Sequence, residues 1–278
     1  MTKPYFQRIS TKSFRPVCLL LFCCYFFYDA NSQSKKNDSL KADQLNAISK
    51  EYWRKNIDSS VYYAQKALLL SQTLNYNGGM AEAYRNMGVT NMFIGNKTLA
   101  KQYLLKALAL FSAPADVKGM ATTYNNLGVL HTFITDYRGS TTYFDSALIL
   151  FRKLNNKEGE GSALNYIGIN YQQQGNYQKA IDYCLQAFEI RKEINDHPGV
   201  VFSLLNVGNM YLEVGQLQTA LNFYTQAVTH AKENNINPPD YLLNQIGKTY
   251  LKLKQYDKAE TYLIRTMNGG SRMTMRNE

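Results

Sequence analysis

The chain has 278 residues, 45% of them hydrophobic, enough for one or two domains with packed cores. Its formal charge is +10, but the basic residues form no concentrated stripe, which argues against a nucleic-acid binder. Four cysteines, three of them at Cys18, Cys23 and Cys24, exclude a disulfide framework for the rest of the chain.

The first element is a leader. Lys3, Arg8, Lys12 and Arg15 precede a continuous apolar run, Val17 to Tyr28, and Ala30-Asn31-Ser32 offers small residues for cleavage before Gln33. That order reads as a secretory signal peptide over residues 1–32. The run is shorter than the roughly 20 residues of an ordinary membrane span. A core helix and an uncleaved membrane anchor are the alternatives. A lipidated Cys23 or Cys24 is disfavoured because small residues do not precede either. Removing the leader takes away four basic residues and Asp29, a net +3, so +10 becomes +7. Cys184 alone remains, on a helical packing position, and no cysteine-based metal site is expected. Residues 33–40 read as a polar linker.

From there one pattern recurs. Gly88, Gly128, Gly168 and Gly208 are spaced by 40 residues, with Gly247 one residue early. Ala67, Ala107, Ala147, Ala187 and Ala227 keep the same spacing, as do Gly79, Gly119, Gly159 and Gly199. A period between about 20 and 50 residues marks an array of one supersecondary unit. In the clearest copy, Leu164, Ile167 and Tyr171 fall at helical spacing before Gly175-Asn176, and Tyr177, Ile181, Cys184, Leu185 and Phe188 do so after it. Gly can take the positive φ of a tight turn and Asn caps the next helix. The unit is helix, short turn, helix. A glycine in mid-helix costs about 1 kcal/mol against alanine, so its recurrence implies a close helix crossing, with Ala100, Ser140, Ala180, Ala220 and Ala259 opposite.

This pattern resembles the tetratricopeptide repeat (TPR). Its sequence roles fall on Tyr84, Met87, Gly88, Ala100, Leu104 and Ala107, and again on Ile167, Gly168, Tyr171, Ala180, Cys184 and Ala187. The resemblance implies an all-α, right-handed superhelical solenoid over residues 41–268, in units of roughly 41–78, 79–118, 119–158, 159–198, 199–237 and 238–268. The standard repeat has about 34 residues. Here apolar spacing continues past Ala107, Ala147 and Ala187, so the second helix is expected to run one to two turns longer, as in the long-helix TPR variety of bacterial peptide-responsive regulators. The first unit is degenerate, with Ile48 where the glycine belongs, as a cap would be.

No catalytic constellation is legible, and neither cofactor nor metal is expected. His131, His197 and His230 lie in different units without metal-ligand spacing, and His131 shares a packing column with Tyr171 and Tyr211. Tyr63, Tyr103, Tyr143, Tyr183, Phe223 and Tyr262 form one column of the second helix and read as structural filling.

In TPR arrays the first helices line the concave face, and the residues just before the glycine point into it. Here these are Arg85/Asn86, Asn125/Asn126, Asn165, Asn206 and Asn244/Gln245. An amide offers a donor and an acceptor, so such a row can pair with the backbone of an extended peptide. Shared descent of the copies would produce the same row. Beyond the glycine the positions read Val89/Phe93, Val129/Phe133, Ile169/Gln173, Asn209/Glu213 and Lys248/Lys252, apolar first and basic last. The expected partner is a protein or extended peptide with an apolar part and an acidic end. The carboxylate clamp of chaperone-adaptor TPRs is not reproduced, because Val89 and Val129 replace its polar positions.

The last helix is expected to be cut short by Gly269-Gly270, leaving residues 269–278 as a disordered tail. The whole reads as a non-enzymatic, exported binding module, periplasmic or extracytoplasmic, with a sensory or scaffolding role. The alternatives are a self-assembling structural protein, homo-oligomeric through a bare C-terminal end, and a sensor region cut from a bacterial signalling protein.

Overall fold

The computed structural model describes residues 35–112 and 116–264. The leader with its three cysteines and the 269–278 tail lie outside the described residues. Twelve helices follow in chain order: α1 (35–52), α2 (Ile57–Thr73), α3 (Asn77–Ile94), α4 (Lys97–Ser112), α5 (Val117–Phe133), α6 (Tyr137–Lys153), α7 (Lys157–Gln173), α8 (Tyr177–Glu193), α9 (His197–Glu213), α10 (Leu217–Glu233), α11 (Asp240–Lys252) and α12 (256–264). They form six antiparallel pairs in a TPR-like solenoid, with no strand among the described residues. The apolar positions after Ala107, Ala147 and Ala187, such as Phe111, Phe151 and Ile190, lie inside α4, α6 and α8.

Several helix starts are written in a capping residue. The side chains of Asp116, Asn156 and Asp196 accept the backbone N–H of Gly119, Gly159 and Gly199, satisfying one of the donors that a helix start leaves free. These glycines are thus the third residues of α5, α7 and α9, and each helix begins two positions before the expected unit boundary. A Cβ on Gly119 or Gly159 would lie 2.3 or 2.5 Å from the ring of Phe111 or Phe151, the residues that close the preceding pair.

The turns repeat with equal regularity. Between pairs, Asn75, Asn155, Asn195 and Asn235 take φ of 52–57°, where Asn is the best tolerated residue after Gly. Within pairs, Gly95, Gly175 and Gly215 take φ of 75–84°, whereas Thr135 holds φ 61° in the same place. A β-branched residue is strained there by about 1–2 kcal/mol. Thr135→Gly should therefore raise the unfolding free energy by about 1 kcal/mol in a urea titration, part of the gain being lost to unfolded-chain entropy.

The mid-helix glycines sit at the crossings as expected. A Cβ on Gly88, Gly128, Gly168, Gly208 or Gly247 would meet Leu104, Phe144, Cys184, Tyr224 or Leu263 at 2.4–2.8 Å. Cys184 is fully buried here, and burial pushes its thiol up to about 12. The tyrosine column also packs within pairs: Tyr103, Tyr183, Phe223 and Tyr262 stack on Tyr84, Tyr171, Tyr211 and Tyr250 at 5.4–5.9 Å.

The first four junctions between pairs alternate in chemistry. Where the small residue of the second helix is Ser60 or Ser140, the residue 30 positions on is Thr90 or Asn170, hydrogen-bonded to it at 2.8 Å. Where it is Ala100 or Ala180, the partner is Leu130 or Met210, in one apolar cluster. Each polar junction is satisfied only as a set. Ser140→Ala alone should cost about 1–3 kcal/mol by stranding the buried Asn170 amide. Ser140→Ala/Asn170→Met, which copies the Ala180–Met210 junction, should recover most of that loss in urea unfolding.

One expectation fails at the start of the array. Residues 35–40, expected as linker, belong to α1. Their polarity reflects an exposed helix face, and Lys35, Lys36 and Leu40 are good helix formers. Beside Ile48, which stands where the glycine belongs, Ser49 is fully buried, and its hydroxyl donates to the Ser60 carbonyl at 2.8 Å.

Candidate functional site

Curvature follows from which helices meet. Between α2 and α11, the odd-numbered helix of each pair touches the odd-numbered helix of the next, α3 with α5, α5 with α7, α7 with α9 and α9 with α11. No even-numbered helix touches the next even-numbered one. The odd-numbered helices are therefore the more crowded set and line the inner, concave face.

One concavity of 460 Å³ lies on that face, within the roughly 300–1,000 Å³ of ligand-binding clefts. Its lining comes from four successive pairs. The end of α1 and the turn after it supply Lys50, Glu51, Trp53, Arg54 and Lys55; α3 supplies Val89, Met92 and Phe93; α5 supplies Asn125, Asn126, Val129 and Phe133; α7 supplies Ser162 and Tyr166. Phe93 and Phe133 are 42% and 54% exposed. Three buried polar atoms of this lining, Trp53 Nε1, Asn125 Oδ1 and Asn126 Nδ2, have no protein partner. Buried polar groups are nearly always paired, so such a cluster marks groups that water or a ligand must satisfy.

The structure thus brings Asn125 and Asn126 together with the four expected apolar residues. It places the remaining amides differently. Asn86 is buried and donates to the Asn46 carbonyl of α1 at 2.9 Å. Asn206 donates to Asn165 Oδ1 at 2.9 Å. Asn209 accepts from Tyr224 Oη and Gln245 Nε2. These amides stitch neighbouring inner helices to each other. Arg85 is buried and ion-paired with Glu82 one turn back. Asn244 keeps an unpartnered Oδ1, and Lys248 and Lys252 are exposed at the far end, outside the concavity.

Lys50, Trp53, Arg54 and Lys55 were not anticipated, because the first pair matches the repeat poorly. The available signal was the only tryptophan of the chain, set among three cations.

The histidines also depart from expectation. His197 is the first residue of α9, and its Nδ1 lies 3.3 Å from His230 Nε2 at the end of α10, so the two belong to one pair. Burial and the neighbouring His197 hold His230 below its usual pKa. No group of three potential metal ligands occurs among the described residues. His131 packs on Tyr143 as expected, and its Nδ1 meets Asp136 Oδ2 at 2.8 Å. The Gly139 N–H and then His131 hold the Asp136 carboxyl below the usual carboxylate range.

Comparison with known proteins agrees with this geometry. One tetratricopeptide-repeat sequence model matches residues 119–183 and 159–233, and a second matches 81–113 and 241–265. No curated protein matches the chain. Among solved structures, BtubC (BKLC) from P. vanneervenii superposes with a TM-score of 0.68 at 15% identity, over 79% of this chain and 93% of that one. A signal-transduction ATPase with a tetratricopeptide-repeat sensor, PH0952 from Pyrococcus horikoshii, gives 0.69 at 13% identity over 86% of this chain, which spans 38% of that protein. A Rap protein complexed with Competence and Sporulation Factor gives 0.63 at 20% identity, over 85% and 66%. At these identities the likeness speaks for the fold. Repeat register, helix pairing and both sequence models converge: the chain is a tetratricopeptide-repeat protein.

Proposed function

We propose that this protein is a non-enzymatic binding module that holds a segment of a partner protein in extended form along the α1–α7 stretch of its inner face. One observation carries the reading. Exposed Phe93 and Phe133 share a concavity with the unpartnered amide atoms of Asn125 and Asn126. Apolar walls with a few convergent polar groups are the usual make-up of a recognition site. An extended segment supplies both an acceptor for the Asn126 amide and a donor for the Asn125 carbonyl. The solved Rap complex and the tetratricopeptide-repeat sensor of the Pyrococcus ATPase support a sensory or scaffolding role. The leader-like residues 1–32 support an exported protein.

The test is a random dodecapeptide library displayed on phage and selected on the full chain. Asn125→Ala/Asn126→Ala should weaken the selected peptides at least tenfold while moving the melting temperature by only a few degrees. Equal loss of binding and stability would show that these amides are structural.

A second reading is self-association through the last pair, where Leu251, Tyr256 and Ile264 are exposed. Light scattering separates the two: a monomer at all concentrations removes the second.

A further inference from the structure

The concavity is chemically lopsided. Its floor is apolar: Val89, Met92, Phe93, Val129 and Phe133. At the α1 end stand Lys50, Arg54 and Lys55 against the single acid Glu51. None of the three cations is ion-paired among the described residues. Arg54 lies over the Phe93 ring at 5.6 Å and Lys50 over Trp53 at 5.9 Å. The guanidinium is therefore held against the same aromatic wall that a ligand would touch.

A cation in the last turn of a helix complements the helix dipole, which accounts for Lys50. Arg54 and Lys55 lie beyond the end of α1, in the turn, where that account does not reach. Unpaired charges beside an apolar slot attract a partner of opposite sign, and they steer it and fix its direction more than they add affinity.

We infer that the occupant is a peptide segment with bulky apolar side chains next to acidic ones, its acidic side chains lying over Lys50, Arg54 and Lys55. The inference rests on the groove reading above and adds chemistry and direction to it. The acidic end sits at the N-terminal end of the array, opposite to the end marked by Lys248 and Lys252. The apolar side chains fill the slot between Phe93 and Phe133. The Asn125 and Asn126 amides then meet the backbone between the two.

The experiment extends the phage selection to two further baits, Phe93→Asp/Phe133→Asp and Arg54→Glu/Lys55→Glu. All four positions are exposed, and circular dichroism melting is used to check that each variant folds. Peptides selected by the natural chain and lost on the Phe93→Asp/Phe133→Asp bait should be rich in Asp or Glu beside Leu, Ile or Phe. The strongest of them, made with a fluorescein label, should bind Arg54→Glu/Lys55→Glu about tenfold more weakly, as expected when two attractive rim pairs turn repulsive. Its Kd should also rise with added sodium chloride. Groove-dependent peptides without acidic enrichment, or an affinity untouched by the charge reversal, would overturn this inference and leave the groove reading standing. A selection that yields no groove-dependent peptide would overturn both.

Discussion

Phe144→Ala should cost about 3–5 kcal/mol of unfolding free energy, the range for emptying a buried phenylalanine site. Phe144 is fully buried in α6. One side of its ring lies against Gly128 of α5, and Tyr166 of α7 stacks on it at 5.1 Å with planes 6° apart. It therefore joins its own pair to the next. Gly128 has no side chain that can fill the space, and the helix backbones cannot close it without breaking the crossing. In a solenoid each pair contacts only its neighbours, so stability is nearly a sum of local terms. The loss should thus appear as lost cooperativity as well as a lower midpoint. Urea unfolding followed by tryptophan fluorescence reports Trp53 in the first pair, while circular dichroism reports all helices. In Phe144→Ala the two curves should separate. Coincident curves with a shift below about 1 kcal/mol would contradict the central role given to this ring.

Gly168→Leu should be comparably damaging, with a loss of about 3 kcal/mol or more, at the upper end of the overpacking range. Even a single Cβ there would stand 2.5 Å from Cys184 Sγ and 3.0 Å from the Ala180 carbonyl oxygen. A thiol can rotate away, but the carbonyl belongs to the α8 backbone and moves only with the helix. Gly161 in the same helix is the control, because a Cβ there meets nothing closer than 3.4 Å. Gly161→Ala should gain up to about 1 kcal/mol from helix propensity alone. If thermal melts show Gly168→Leu and Gly161→Ala behaving alike, the crossing is not the reason for the glycine column.

The two substitutions also show where sequence reading succeeds. A glycine and an alanine that return every 40 residues can be seen in the chain itself, because close helix crossing tolerates few residue types. The turns are legible for the same reason: left-handed backbone accepts Gly and Asn at little cost, and Thr135 and Lys254 are the visible exceptions. The first pair was harder. It carries Ile48 where the glycine belongs, so Trp53 and its cations fell outside the pattern that identified the other pairs.

The inner-face amides show the limit most clearly. Asn86, Asn126 and Asn206 occupy one column, yet Asn86 and Asn206 are engaged by neighbouring inner helices while Asn126 keeps a free donor in the concavity. Nothing in the column itself distinguishes them. What differs is the residue across the gap: Asn46 for one, Asn165 for another. The same holds for His197 and His230, whose meeting depends on where two helix ends converge.

From the amino acids alone come the helix pairs, their register and the all-α class, since these depend on periodic spacing within about 40 residues. Which inner side chains face each other and which face a partner depends on the superhelical path. That path is the sum of small rotations at every junction, and each junction is decided by packing between residues roughly 30 to 40 positions apart. Only the assembled array shows that sum.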